Sequence, residues 1–141
     1  MQTDLTLDIV NEADAKTDPD MVLDFVTRTG CDLLAVSVGN VHGLDIEPKV
    51  DLPLLKKISE ISPVPLVLHG GSGIPFEIVQ EARQYGLLKI NYGSYLRKAF
   101  VSTFGRAYEK NHNTASVIEL SIESVQNVAD KAEELVKVIN A

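Results

Sequence analysis

The sequence predicts an α/β fold built on a parallel sheet. Three short apolar runs, each followed by a loop rich in glycine or asparagine, alternate with segments whose apolar residues recur at helical spacing. Continuous apolar runs are typical of strands covered on both faces, and their alternation with helices favours right-handed crossovers between parallel strands. The 141 residues contain no repeat, low-complexity tract or linker, so residues 1–141 are expected to form a single unit.

Composition narrows the class of protein. Hydrophobic residues make up 45% of the chain and charged residues 23%, which is typical of a globular domain. The net charge of −7 argues against nucleic acid as a partner, because an acidic surface repels phosphates. A lone cysteine, Cys31, cannot form an internal disulfide, which favours a reducing, cytoplasmic location. Neither a secretion signal nor an apolar stretch of about 18 residues is found, so no membrane span is expected.

The first half of the chain predicts two helices and one strand. The first helix begins after Asp18, a good N-cap residue, with Pro19 in its first turn, and it ends at Gly30. Its predicted apolar stripe consists of Val22, Leu23, Phe25 and Val26. Residues 31–38 form the first buried strand, and a second helix covers about residues 51–61. Residues 1–16 are compatible with a short strand at 6–10 or with a loop.

The second half predicts two further strands and three helices. The strands lie at residues 65–69 and 87–91, separated by a helix that starts near Pro75. A fourth helix begins near Ser94 and is expected to bury Leu96, Ala99, Phe100, Phe104 and Ala107. The last helix runs from about residue 121 to 139, with its apolar stripe at Ile122, Val125, Val128, Ala129, Ala132, Leu135, Val136 and Ile139.

Histidines follow two of the three predicted strands. His42 lies in the loop after the first strand, and His69 ends the second. The carboxyl ends of parallel strands converge at one edge of a sheet, where ligands bind in this fold class. Two imidazoles suit zinc but are an incomplete set, since zinc takes three or four protein ligands. Alternatively, each histidine is a hydrogen-bonded loop residue, and His112 is expected to be a solvated surface residue.

Two glycine-rich loops open helices at the same edge. Gly70–Gly73 follows the second strand and Asn91–Ser94 the third. Either loop is explained as a tight turn. Both also suit a phosphate group, because glycines admit the anion to the backbone and a helix N-terminus carries partial positive charge.

Three segments carry a resemblance to a known family. Residues 32–43 (DLLAVSVGNVHG), 64–73 (VPLVLHGGSG) and 86–91 (GLLKIN) resemble the class II, zinc-dependent ketose-bisphosphate aldolases, a group that includes the fructose- and tagatose-bisphosphate enzymes. The similarity extends from about Thr17 to Phe100. It implies that the chain is the C-terminal portion of a TIM (β/α)8 barrel, namely its last three strands with their helices.

The resemblance also implies site roles and a reaction. His42 and His69 match two of the family's three zinc-binding histidines. Positions that hold dihydroxyacetone phosphate are matched by Gly43, Gly70, Gly71, Ser72, Asn91, Tyr92, Gly93 and Ser94. The implied activity is reversible aldol cleavage of a ketose 1,6-bisphosphate, of fructose or tagatose type, to dihydroxyacetone phosphate and an aldehyde phosphate. Asn40-Val41, Asp45 and Tyr92-Gly93 depart from the commoner family residues, which bears on substrate stereochemistry.

The chain lacks counterparts of the family's first half. A complete barrel needs roughly 250 residues, and no histidine precedes His42. The third zinc-binding histidine and the proton-transferring aspartate are therefore absent from this chain, which is expected to be inactive alone. The alternative is a non-catalytic binding or assembly module that pairs with another chain or with itself, because open sheet edges favour self-association. Another phosphate-binding barrel with a different reaction is the least favoured alternative.

Overall fold

The computed structural model describes residues 16–40, 49–111 and 116–140. In this part of the chain the elements alternate in the predicted order. They are α1 (Pro19–Thr29), β1 (Leu34–Val36), α2 (Leu52–Ile61), β2 (Leu66–Leu68), a 3-10 turn at Gly71–Gly73, α3 (Phe76–Arg83), β3 (Leu87–Ile90), α4 (Ser94–Asn111) and α5 (Val117–Ile139). The possible strand at residues 6–10 and His112 lie outside the described residues.

The three described strands form one parallel sheet in the order β1-β2-β3. Leu34 and Val36 pair with Leu66 and Leu68. The pairing of β2 with β3 shifts by one residue, so that Leu66 faces Leu87 but Val67 faces Lys89. Leu88 is the extra residue of this bulge and is 68% exposed. The prediction of an α/β fold with three parallel strands is confirmed.

Capping residues fix the ends of the first two helices. Asp18 accepts a hydrogen bond from the Asp20 amide of α1, and Gly30 ends that helix with a positive φ of 64°. Asp51 caps α2 by accepting from the Leu54 amide at 3.0 Å. These contacts satisfy backbone groups that a helix leaves unpaired at its ends.

The core lies between one face of the sheet and helices α1 to α3. Strand residues of that face alternate with residues of the opposite face, as a pleated strand requires. The buried hydrophobic cluster consists of Val22, Val26, Leu34, Val36, Val38, Leu55, Ile58, Leu66, Leu68, Ile74, Val79, Ala82 and Leu87.

Two details of the first predicted helix and strand are wrong. β1 is shorter than predicted, and its central residue Ala35 is exposed, so the strand is covered on one face only. On α1, Val22 and Val26 are buried, whereas Leu23 and Phe25 are about half exposed. The helix turns one narrow stripe towards the core, and residues next to that stripe stay in solvent.

The predicted apolar stripe of the last helix is only partly right, because Leu135 is buried and Val128, Ala132 and Ile139 are half-buried. Leu120, Ser124 and Leu135 are the buried residues of α5, whereas Ile122, Val125 and Val136 are exposed. The helix packs on α4 through a face that contains polar residues, because these residues find hydrogen-bond partners there. The Asn127 amide donates to the Ala99 carbonyl at 3.1 Å and to the Thr103 hydroxyl at 2.8 Å.

The helix α4 buries Ala107 but leaves Phe100 and Phe104 half-buried. Phe100 and Phe104 stack on each other with ring centroids 6.2 Å apart. None of the described helices is both long and apolar enough to cross a membrane.

Candidate functional site

The site forms at the carboxyl edge of the sheet, where β2 and β3 end side by side. His69 follows β2 and Asn91 follows β3, and the Asn91 amide nitrogen lies 3.4 Å from Nδ1 of His69. The backbone N–H of Asn91 donates to the Leu68 carbonyl at 3.0 Å, and this hydrogen bond extends the strand pairing to Asn91. The structure therefore brings together two residues that the sequence predicted to lie near each other.

Asn40 ties the first strand end to the same place. It is only 6% exposed, its Oδ1 accepts from the Val38 amide at 3.1 Å, and its Nδ2 donates to the His69 carbonyl at 2.5 Å. A buried side chain with both ends bonded holds two loops at a fixed separation. The sequence indicated Asn40 only as a departure from the commoner family residues in the loop after the first strand, and not as a site residue.

The glycine-rich loop touches the end of β3 through its backbone. The Gly71 amide donates to the Asn91 carbonyl at 3.0 Å. A Cβ atom at Gly71 would lie 2.7 and 2.8 Å from side-chain carbons of Ile90. Glycine is needed at position 71 because the loop and the strand approach each other this closely.

Ser72 links this loop to the beginning of α4. Its hydroxyl oxygen accepts from the Tyr95 backbone amide at 3.0 Å. In the next loop, the Ser94 hydroxyl accepts from the Arg97 guanidinium at 3.3 Å. Gly93 is exposed, and a Cβ atom at this position would have no neighbour within 4 Å. The two predicted phosphate loops are thus neighbours, joined by Gly71 and Ser72.

Tyr92 places a buried hydroxyl in the second loop. Among the described residues, this oxygen has no hydrogen-bond partner. Burial raises the pKa of the Tyr92 phenol above its ordinary value, which keeps the group neutral and able to donate. A buried hydroxyl of this kind costs free energy unless something accepts from it.

Lys89 adds a positive charge to the open face of the sheet. It pairs in register with Val67, and it is exposed while its strand neighbours Leu87 and Ile90 pack towards the core. Alternate strand residues share a face, so Lys89 and Asn91 lie on the same side of the strand line. The predicted site residues did not include Lys89, and its alternation with Asn91 is the signal in the sequence that could have indicated it.

The donor set for a metal ion can be compared with what zinc requires. His69 is the one imidazole of the described residues, and these residues contain no group of three histidine, cysteine or carboxylate side chains. With the Asn91 amide beside Nδ1, a metal ion at His69 would require the other ring nitrogen or a rotation of that amide. His69 suits one position of a zinc site, and His42 and Gly43 lie outside the described residues.

Known proteins with similar sequences and folds carry the name aldolase. YdjI of Escherichia coli (strain K12), a curated protein described as uncharacterized, is 45% identical over 84 residues, which are 59% of this chain and 30% of that protein. The crystal structure of "the YdjI aldolase from Escherichia coli K12" matches with a TM-score of 0.72 and 36% identity, over 87% of this chain and 44% of YdjI.

A second solved structure agrees in fold. The fructose-bisphosphate aldolase of Campylobacter jejuni matches with a TM-score of 0.72 over 89% of this chain and 45% of its own, at 21% identity. The chain therefore spans less than half the length of these structural relatives, as expected for a portion of their fold.

The family assignment rests on a match along nearly the whole sequence. Residues 3–141 fit the family model described as "Fructose-bisphosphate aldolase class-II". This range contains every site residue described above. The chain belongs to the class II fructose-bisphosphate aldolase family.

Proposed function

We propose that this chain forms part of the active site of an aldolase that reversibly cleaves a ketose 1,6-bisphosphate to dihydroxyacetone phosphate and an aldehyde phosphate. The observation that carries the proposal is the meeting of His69, Asn91 and the Gly70–Gly73 loop at the carboxyl edge of one parallel sheet. Ligands of α/β proteins bind at this edge. The family to which the chain belongs supports the reaction class.

In this proposal the two glycine-rich loops hold the phosphate of dihydroxyacetone phosphate. One side of the phosphate would contact Gly43, Gly70, Gly71 and Ser72. The other side would contact Asn91 to Ser94. The first turn of α4 contributes partial positive charge, and Lys89 contributes a full charge on the same face. A phosphate anchored in this way keeps the reacting carbons in position.

His42 and His69 are proposed to hold a zinc ion together with a ligand from outside this chain. Zinc bound there would act as a Lewis acid towards the substrate ketone. The chain's own contribution is orientation: Asn40 fixes the His69 backbone and Asn91 lies against its ring. Such support of a metal ligand by neighbouring hydrogen bonds improves metal affinity.

Zinc binding tests the role of His69. Isothermal titration of the chain with zinc is expected to show binding that weakens by about tenfold or more for His69→Ala, since one of few ligands is lost. Lys57→Ala, a change on the exposed surface of α2, is the control and is expected to bind like the parent chain. Equal zinc affinity of the His69→Ala variant and the parent chain would contradict the proposal.

The resemblance to the family leaves its proton-transferring aspartate and its third zinc-binding histidine without a counterpart in this chain, so we propose that the chain alone turns over neither fructose nor tagatose 1,6-bisphosphate. A coupled assay of released dihydroxyacetone phosphate is expected to stay at background. Full turnover that a chelator abolishes would overturn this part of the proposal.

One observation favours the alternative of an assembly module. Met21 and Phe25 of α1 are exposed, and they line a cavity of about 300 Å³ that reaches Leu34 and Ala35 of the edge strand β1. In the described part of the chain no strand pairs with the outer edge of β1, and apolar surface next to such an edge favours association with a second copy of the chain. Assembly and catalysis are compatible, because the β1 edge and the His69 loop are different parts of the molecule.

A further inference from the structure

A groove between α4 and α5 has a composition that the proposed aldolase site does not explain. Its volume is about 500 Å³, within the range of small-molecule sites. The residues that line it are Ser72, Tyr95, Lys98, Ala99, Ser102, Arg106, Asn127 and Lys131. None of these lining residues is a carboxylate, although the chain as a whole carries a net charge of −7.

The positive charges of the groove are concentrated on α4. That helix contains four basic residues and one acidic residue, and its Lys98 and Arg106 face the groove. Neither forms an ion pair with a carboxylate within the described part of the chain. From α5, Lys131 lies over the Tyr95 ring, 5.9 Å from its centroid, and its charge is offset in part by the Glu134 carboxylate at 2.5 Å.

The helices run antiparallel here, which places the charges at two ends of the groove. Asn127 bonds to Ala99 and Thr103, and Lys131 lies over Tyr95, so Lys131 and Lys98 share the end near Ser72. Arg106 lies two helical turns further along α4, a separation of about 12 Å between Cα atoms. The Arg106 guanidinium donates to Thr103 at 3.1 Å and keeps further N–H donors for a ligand.

We propose that this groove binds a small molecule with two phosphate groups, at a site that adjoins the loop after His69 through Ser72 but lies between α4 and α5 and does not include His69. One phosphate would lie between Lys98 and Lys131 and the other at Arg106. Ser72 lies at the first end, and its hydroxyl keeps a proton to donate because its oxygen only accepts from Tyr95. A ligand that accepts from the Ser72 hydroxyl would therefore stabilise the Gly70–Gly73 loop, whose Ser72 is already bonded to the Tyr95 amide of α4.

The test uses glucose 1,6-bisphosphate, which has two phosphates but no ketone for aldol chemistry. Titration of the chain by calorimetry is expected to show saturable binding that weakens with added salt. The double variant Lys98→Gln/Arg106→Gln is expected to weaken it about tenfold or more, because both changes remove charge-assisted hydrogen bonds. Glucose 6-phosphate, with one phosphate, is expected to bind more weakly.

Two control variants separate this site from the proposed aldolase site. Lys57→Gln removes a positive charge from the exposed surface of α2, and His69→Ala alters the strand-edge loop. Both are expected to bind glucose 1,6-bisphosphate within about twofold of the parent chain, with circular dichroism checking that each variant is folded. The proposal is overturned if no saturable binding occurs up to about 10 mM, if the double variant binds like the parent, or if only His69→Ala loses binding.

Discussion

Gly71 sets the distance between the two loops of the proposed site. Its amide bonds to the Asn91 carbonyl, and the space that a Cβ would occupy is already filled by the Ile90 side chain and, at 3.1 Å, by the same carbonyl oxygen. The Ile90 side chain can move, but the backbone oxygen can do so only with β3. A substitution at this position therefore acts on the loop and on the strand together.

We expect Gly71→Ala to lower the free energy of unfolding by about 1–3 kcal/mol, the range for forcing extra atoms into a packed region. Urea unfolding followed by circular dichroism measures the change. The control is Gly105→Ala in α4, where nothing lies within 4 Å of the added carbon. That control is expected to raise stability by roughly 0.5–1 kcal/mol, because alanine favours a helix. Equal stability of Gly71→Ala and the parent chain would contradict the close approach.

At the residue level, the sequence predicted which strand-end residues meet but not how they are held. His69 and Asn91 each end a recognisable apolar run, so parallel pairing alone places them side by side. The hydrogen bond from Asn40 to the His69 carbonyl depends on a backbone carbonyl of another strand. No residue pattern specifies such a partner, which is why Asn40 emerged only from the structure.

Asp51 governs the beginning of α2 in two ways. Its carboxylate accepts from the Leu54 amide at 3.0 Å and from the Lys16 ammonium at 2.7 Å. The hydrogen bond from Lys16, followed by that from Leu54, holds the pKa of Asp51 below its ordinary value of 3.8. A lowered carboxyl pKa stabilises the fold above the unfolded pKa, and this contribution is lost as the pH falls below about 3.8.

Removing the cap with Asp51→Ala is expected to cost about 1 kcal/mol at pH 7. Asp51→Asn keeps a capping oxygen but no charge, so at pH 7 it is expected to lose less stability than Asp51→Ala. Between about pH 5 and pH 3, where a carboxylate titrates, the stability of Asp51→Asn is expected to fall less than that of the parent chain. Thermal melts at these pH values provide the measurement. A pH dependence identical to that of the parent would show that Asp51 carries none of it.

At the level of elements, capping residues predicted helix ends more reliably than apolar stripes predicted the buried helix faces. Asp18, Pro19 and Gly30 predicted the bounds of α1 because capping is a local interaction. The stripe of α5 was right at Leu135 but wrong at Ile122, Val125 and Val136, because helical periodicity records where apolar residues lie, whereas burial depends on which face meets α4. The buried face of α5 includes Ser124, whose hydroxyl donates to the Leu120 carbonyl at 2.7 Å and so needs no polar partner outside its helix.

For the whole molecule, the described part of the chain covers one face of its sheet, whereas on the other face only Val67 of the central strand is buried and its partners in β1 and β3 are exposed. The core between the sheet and α1 to α3 is continuous, while Ala35 and Lys89 on the opposite face are exposed. The order of elements was predictable from alternating patterns. The uncovered face was not, because strand sequences that are apolar on both sides give no indication of what covers them.

We expect the apparent mass of the chain to rise with concentration in multi-angle light scattering. Phe25→Ser, on the exposed side of α1, is expected to raise the concentration at which half of the chains are associated by about tenfold, because it removes apolar area beside β1. Tyr108→Ser is the matched control, because Tyr108 is equally exposed, at 53% against 52%, but lies on α4. A monomeric mass at every concentration would contradict self-association.

The bulge at Leu88 makes the two margins of the sheet unequal. β3 offers a distorted margin with an extra residue and a lysine, features that discourage a further strand from adding. Within residues 16–40 and the other described ranges, β1 offers a margin of three regular, uncharged residues with no bulge. In two copies joined through their β1 margins, both β1 margins would be paired with each other. Only the β3 margins would then remain exposed. Growth by strand addition would then stop at a closed pair and could not continue into a fibre.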